Sequence, residues 1–140
     1  MRWVTWEKVG VDRMACAWLI RRFIDPDAEF LFVPAGQRPL PEGAEPFDIP
    51  GTRLSHRRGR CSLSTFLREF GLKDPVLQRI ARIVDEADVV QEVAVEPAAP
   101  GLDLICRGLR RASPDDLTAL ARGELIYDAL YAELAAGETA

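Results

Sequence analysis

Three arginines, the sole histidine, one cysteine and a pair of aspartates are the residues of this chain whose types and spacing could do chemistry. Arg13, Ala17 and Arg21 stand four residues apart, with Arg22 beside them. On a helix that spacing stacks them on one flank, and the small Ala17 leaves room between the guanidinium groups. Guanidinium forks grip oxyanions in a bidentate way, and Arg13 near a helix N-terminus adds a favourable field. Arg13, Arg21 and Arg22 are therefore candidate anion-binding residues. The plainer reading, which the local pattern by itself favours, has Arg21 and Arg22 offsetting the helix C-terminus and pairing with Asp25 or Asp27.

His56 is the only histidine. Imidazole is a common metal ligand, and a lone one needs acids or a thiol to complete a site. Cys61 lies close in sequence, and Asp85 and Asp88, at i and i+3, share a helix face that Glu92 extends. His56, Asp85 and Asp88 are thus the candidate metal ligands, a donor set suited to iron, manganese or zinc. The alternative is a solvated acidic face paired with the basic cluster of Arg53, Arg57, Arg58 and Arg60, and the pattern alone favours it. Cys61 is the redox candidate, since it follows those arginines and begins a helix, both of which lower a thiol pKa. Cys16 and Cys106 lie on apolar rows and read as small core residues. Gly-rich phosphate loops, nucleophile elbows and an ordered Ser/His/Asp set are absent, so no nucleotide cofactor is indicated.

The elements that must position these groups divide into two halves. Arg2 to Lys8 reads as a first strand and Asp12 to Asp25 as a helix capped by Asp12 and ended by Asp25-Pro26. Glu29 to Val33 reads as a short buried strand that completes a β-α-β opening. Residues 34–51 carry half of the ten prolines and form a long loop. Within it Phe47-Asp48-Ile49 could pair at a sheet edge, and Thr52 to Arg57 could be a strand with Thr52, Leu54 and His56 on one face, closed by a turn at Gly59. The second half reads as helices: Ser62 to Phe70 stopped by Gly71, one opened by Asp74-Pro75, one carrying Leu102 to Leu109 after a Pro-rich connection over 93–101, and one opened by Ser113-Pro114-Asp115 that Gly123 weakens or splits. The fold class expected is α+β, a small N-terminal sheet with packed helices and a mainly helical C-terminal half. Its core is expected from Trp18, Leu19, Phe23, Phe30, Phe32, Phe66, Leu77, Ile80, Val84, Leu130 and Tyr131.

Length and composition bound the function. The 140 residues fit one domain over 1–140, and 48% apolar with 29% charged residues is an ordinary globular balance. A net charge of −4 disfavours direct nucleic-acid binding. No apolar run approaches the ~20 residues that span a bilayer, and no signal peptide opens the chain, so a cytoplasmic protein is expected. The three cysteines lack any Cys-x-x-Cys pairing and read as reduced thiols.

Trp3-Val4-Thr5 and the unbroken block from Asp12 to Pro26, DRMACAWLIRRFIDP, resemble the opening of the chromate-resistance protein B C-terminal domain family. Phe47-Asp48-Ile49-Pro50-Gly51, His56 followed by Gly59 and Cys61, Phe70-Gly71-Leu72, Ile83-Val84 with Asp88, and Tyr127 to Ala132 continue the resemblance in order over nearly the whole chain. It implies a domain associated with chromate resistance, here standing alone, which in longer relatives follows a regulatory region. Relatives commonly carry proline where this chain has Ala17 and histidine where it has Asp85, so a metal site here is richer in oxygen and suits a harder ion.

The expected function is an intracellular accessory or sensor domain for chromate, oxyanion or metal stress, its partner a small oxyanion or metal ion. A protein partner or homodimer stays open. A metal-dependent redox or hydrolytic enzyme is the rival reading, with Asp85 or Asp88 orienting a metal-bound water and Cys61 supplying electrons. A metal-free interaction domain with an exposed patch of Trp3, Trp6 or Tyr127 is the third.

Overall fold

The computed structural model describes residues 1–89, 91 and 93–139. Strand β1, Arg2–Trp6, is rich in aromatic and β-branched side chains, and Trp3, Val4 and Thr5 are all buried, as in a strand covered on both faces. Strand β2, Glu29–Val33, lies parallel to it with Phe30 opposite Trp3, so the expected β-α-β opening is present. Strand β3, Ala44–Pro46, pairs on the other side of β1, also parallel, and gives the order β2-β1-β3. The edge pairing expected at 47–49 thus lies just upstream, although Phe47 N–H still adds a bond to the Val4 carbonyl at 3.0 Å.

Helix α1, Val11–Leu19, runs into a π-helical turn at Ile20–Ile24. Asp25 N–H donates to the Ile20 carbonyl at 2.7 Å, and the wider turn changes the phase of the side chains it carries. Phe23, expected in the core, is consequently 38% exposed. Asp12 does not cap α1: Gly10 is the N-cap residue, and Asp12 is buried.

The segment 52–57 is not a strand. Thr52 Oγ1 donates to the Ile49 carbonyl and Ser55 Oγ to the Thr52 carbonyl, so side chains close successive turns there. The turn expected at Gly59 is present, with φ +72° and Arg57 bridged to Arg60 across it.

The helical half contains α2 (Ser62–Glu69), α3 (Pro75–Asp88), α4 (Ala99–Ala112) and α5 (Asp116–Thr139). Asp74 caps α3 through the Val76 N–H at 2.8 Å, and Pro75 sits where a missing N–H costs nothing. α4 begins inside the connection expected over 93–101. Gly123 neither ends nor splits α5; a Cβ there would stand 3.1 Å from Met14 Sδ, so the glycine lets α1 and α5 approach closely.

α1 is the central helix, buried at Val11, Asp12 and every residue from Met14 to Leu19, and it packs against α2, α3, α4 and α5. Of the expected core, Trp18, Leu19, Phe30, Phe66, Leu77, Ile80 and Val84 are buried, and Phe32, Leu130 and Tyr131 pack partly buried against them. Trp3 and Tyr127, read as a candidate exposed patch, are in fact buried, with Tyr127 stacked on Trp18 at 5.7 Å. The architecture is α+β, as expected. Among the described residues no helix is long and apolar enough to cross a membrane.

Candidate functional site

The first turn of α1 carries Asp12 toward the start of α2 rather than toward its own backbone. Its Oδ2 accepts from Ser62 N–H at 2.7 Å and its Oδ1 from Leu63 N–H at 3.0 Å. A carboxylate on one helix thereby satisfies the free donors of another and meets the positive end of its dipole. The same Oδ2 lies 2.9 Å from His56 Nε2.

His56 is aimed by the turns on either side of it. Leu54 anchors the loop in the core, and Thr65 Oγ1 on α2 holds the Ser55 carbonyl at 2.6 Å. Asp48 enters from the preceding loop with φ +52°, a left-handed conformation that aspartate tolerates better than most residues. Its N–H bonds the Leu54 carbonyl, while buried Phe47 and Ile49 fix its flanks. Asp48 Oδ1 accepts from Ser62 Oγ at 2.6 Å and lies 3.7 Å from His56 Nε2. Asp88, at the end of α3, brings its Oδ2 to 3.0 Å from the same nitrogen.

Arg13 completes the arrangement. Its Nε stands 3.1 Å from Asp48 Oδ2 without an aligned hydrogen bond, and its Nη2 donates to the Asp48 carbonyl at 2.9 Å. Arg13, Asp48, His56 and Asp88, with Trp6 and Ser55, line an open cleft of about 360 Å³.

The acids shape one another's protonation. Hydrogen bonds to Asp12 and then to Asp88 push the His56 imidazole up to about 10, against the opposing effect of burial. Burial, followed by the Asp12 charge, pushes the Asp48 carboxyl up to about 7, while Arg13 pulls it the other way. Without a metal the imidazole is thus a cation at neutral pH, held among carboxylates.

Among the described residues, Asp12, Asp48 and His56 are a group whose donor atoms all lie within 4.8 Å of one another. A zinc-sized ion in tetrahedral coordination keeps its nitrogen and oxygen donors about 3.4 Å apart. The separations of 2.9 and 3.7 Å from Nε2 to Asp12 and Asp48 bracket that value, so an ion held by these three could take the place of the imidazole proton, while Asp88, 3.0 Å from Nε2, stands outside the group. One imidazole with carboxylates is a donor set for iron, manganese or zinc.

The other candidates from the sequence are distributed differently. Asp85, though on the same helix as Asp88, accepts from Cys61 N–H at 2.7 Å and from Arg60 Nε at 3.2 Å instead of meeting His56. Cys61 is fully buried, and burial, then the Asp12 and Asp85 charges, push its thiol well up rather than down. The nearby arginines do not offset this, because Arg60 is already paired with Asp85. Arg21 and Arg22 face α5: Arg21 Nη1 meets Glu124 at 3.0 Å, and Arg22 grips Asp128 with two bonds of 2.9 and 2.7 Å. They are ion-paired as the plainer reading had it, but with α5, since Asp25 is taken by Trp3 Nε1 and the N-terminal ammonium. The structure thus brings Arg13, His56 and Asp88 together and leaves Arg21, Arg22, Cys61 and Asp85 outside the cleft lining. Glu92 lies outside the described residues.

Asp12 and Asp48 were missed by sequence reasoning. The signal was present: each is an acid set between residues that belong in the core, Val11 with Met14 and Phe47 with Ile49. An acid at such a position must be paired or bonded within the fold.

The blocks that supply these side chains also carry the chain's relationships. No solved structure matches it. Protein ChrB of Cupriavidus metallidurans is 37% identical over 131 residues, an alignment that covers 93% of this chain and 40% of that longer relative. The sequence profile described as ChrB, C-terminal domain, matches residues 3–134, from the first strand through Asp12, Asp48, His56 and Asp88 to the last helix. A match of that extent places the chain in the ChrB C-terminal domain family.

Proposed function

We propose that this chain is an accessory or sensor domain in chromate resistance that takes up a divalent ion, manganese, iron or zinc, at Asp12, Asp48 and His56, with Asp88 beside the imidazole. The family relation suggests the chromate context. The observation that carries the cation reading is the convergence of three carboxylates on His56 Nε2. Above about pH 7, where Asp48 is ionised as well, the imidazolium and Arg13 face three carboxylate charges, and negative charge is in excess. That excess repels an oxyanion. A divalent ion in place of the proton balances the charges, and the open cleft beside Arg13 then accepts a small oxyanion. Arg21 and Arg22, each engaged with α5, serve the fold in this scheme.

Elemental analysis of protein purified without an affinity tag tests the reading. About one ion per chain is expected, with at least a tenfold loss in His56→Ala and in the more exposed Asp88→Asn, both still folded by circular dichroism. Metal-free protein that gives no calorimetric response to manganese, iron or zinc would overturn it. In the host, loss of the chain should raise chromate sensitivity, and His56→Ala should fail to restore growth.

A further inference from the structure

A second cleft lies between the end of α2 and the start of α3. It measures about 350 Å³ and is lined by Arg60, Ser64, Arg68, Lys73 and Gln78, together with apolar residues and Gly71. Three cations face it, of which only Arg60 has an acid partner, Asp85, and no carboxylate lines it. That is unusual in a chain where 22 acids outnumber 18 lysines and arginines. Elsewhere the surface arginines commonly meet an acid: Arg21 pairs with Glu124, Arg53 with Glu45, Arg79 with Glu96 and Arg107 with Asp103. The side chains of Arg68 and Lys73 are exposed and have no hydrogen-bond or ion-pair partner among the described residues.

Arg60 is held in place for a ligand. Its Nε and Nη2 both lie 3.2 Å from Asp85 Oδ2, which fixes the plane of the guanidinium and leaves its other donors available. Gln78 is also fixed, its Nε2 donating to the Leu72 carbonyl at 3.0 Å. The dipole at the end of α2 opposes an anion, and the one at the start of α3 favours it. With those two fields opposed, the side-chain charges decide.

We propose that this cleft binds a tetrahedral dianion, either a free oxyanion of the sulfate and phosphate type or the phosphate of a monoester. Fixed Arg60 supplies a guanidinium edge, and the exposed cations Arg68 and Lys73 close over the remaining oxygens. The site is separate from the His56 cluster and does not rest on the cation reading. Arg68 and Lys73 also lie near the end of α2, where basic residues are stabilising without any ligand. Binding measurements separate that role from this one, because helix stabilisation alone gives no saturable site.

The test is isothermal calorimetry at constant ionic strength on metal-free protein from which the chelator has been dialysed away. Inorganic sulfate, inorganic phosphate and glycerol 3-phosphate are the probes, and chloride is the reference. One saturable site is expected. Arg68→Glu and Lys73→Glu should each weaken it at least tenfold, and the double variant should abolish it. Arg111→Glu, at an exposed arginine with no partner among the described residues and outside the cleft, should change it less than twofold. Tighter binding of the inorganic ions supports a free oxyanion, and tighter binding of glycerol 3-phosphate supports the ester; both uphold the site. Absence of saturation, or an equal loss in Arg111→Glu, would overturn it. Metal content should be unchanged in these variants, so this proposal and the cation reading fail separately.

Discussion

Asp12 and Asp88 contact the same histidine nitrogen at 2.9 and 3.0 Å, yet the two contacts differ in what they hold together. The Asp12 side chain is 2% exposed and also binds two backbone donors at the start of α2. Removing it leaves those two buried donors without their acceptor, a loss on the order of 1–3 kcal/mol for each, while the half-exposed His56 keeps Asp88 at 3.0 Å. The Asp88 side chain is 30% exposed, so water screens and replaces it, and its loss should cost about 1 kcal/mol or less. Urea denaturation of Asp12→Ala and Asp88→Asn measures both. Equal losses would show that His56 is held from both sides alike and that Asp12 has no special part in seating α2. The same contrast explains why His56 and Asp88 were legible in the sequence and Asp12 was not. A lone histidine is conspicuous by its type. Asp12 looks like a helix cap, and only the packing of α2 against α1 shows that it caps a different helix.

Helices announce themselves locally, and the β structure of this chain does not. Asp74-Pro75 and Gly71 mark helix ends through the chemistry of a few adjacent residues, and α2 and α3 fall where those marks put them. β3 is three residues long inside a proline-rich stretch, too short for alternation to register, and it exists because β1 offers it a partner. Thr52 to Arg57 alternates as a strand does but finds no partner, and its hydroxyls close turns instead. The π-helical turn after α1 was equally invisible, since no local residue pattern marks it; its Arg22 reaches α5. There Asp128 accepts from both Arg22 and Trp18 Nε1, the latter at 2.8 Å. The hydrogen bond from Arg22 is the main cause that holds the Asp128 carboxyl below its usual range. A carboxylate with a lowered folded pKa stabilises above its unfolded value, about 3.9, and that contribution is lost as pH falls through the folded value. Asp128→Asn should therefore melt lower than the parent at pH 7, by about 1 kcal/mol of stability, with the gap closing toward pH 3. A gap independent of pH would mean that shape rather than charge holds the two elements.

At the scale of the whole molecule, the candidate cation site joins parts that are far apart in sequence. Asp12 comes from α1, Asp48 and His56 from the loops that follow the sheet, and Asp88 from the far end of α3. In the unfolded chain these donors do not converge, so an ion held by Asp12, Asp48 and His56 binds the folded state almost exclusively. Such a ligand adds RT ln(1 + [L]/Kd), about 2.7 kcal/mol at one hundred times Kd. For a domain of this length that amounts to a rise in Tm of roughly 10 °C. Thermal melts with increasing manganese or zinc should show that rise in the parent and in Arg68→Glu, and most of it should vanish in Asp88→Asn. The Arg68→Glu arm matters because Arg68 and the cation cluster lie at opposite ends of α2. A rise lost in both variants would mean that α2 transmits one site to the other. A rise kept in both would take Asp88 out of the site, because Asp12, Asp48 and His56 form a group of donors without it.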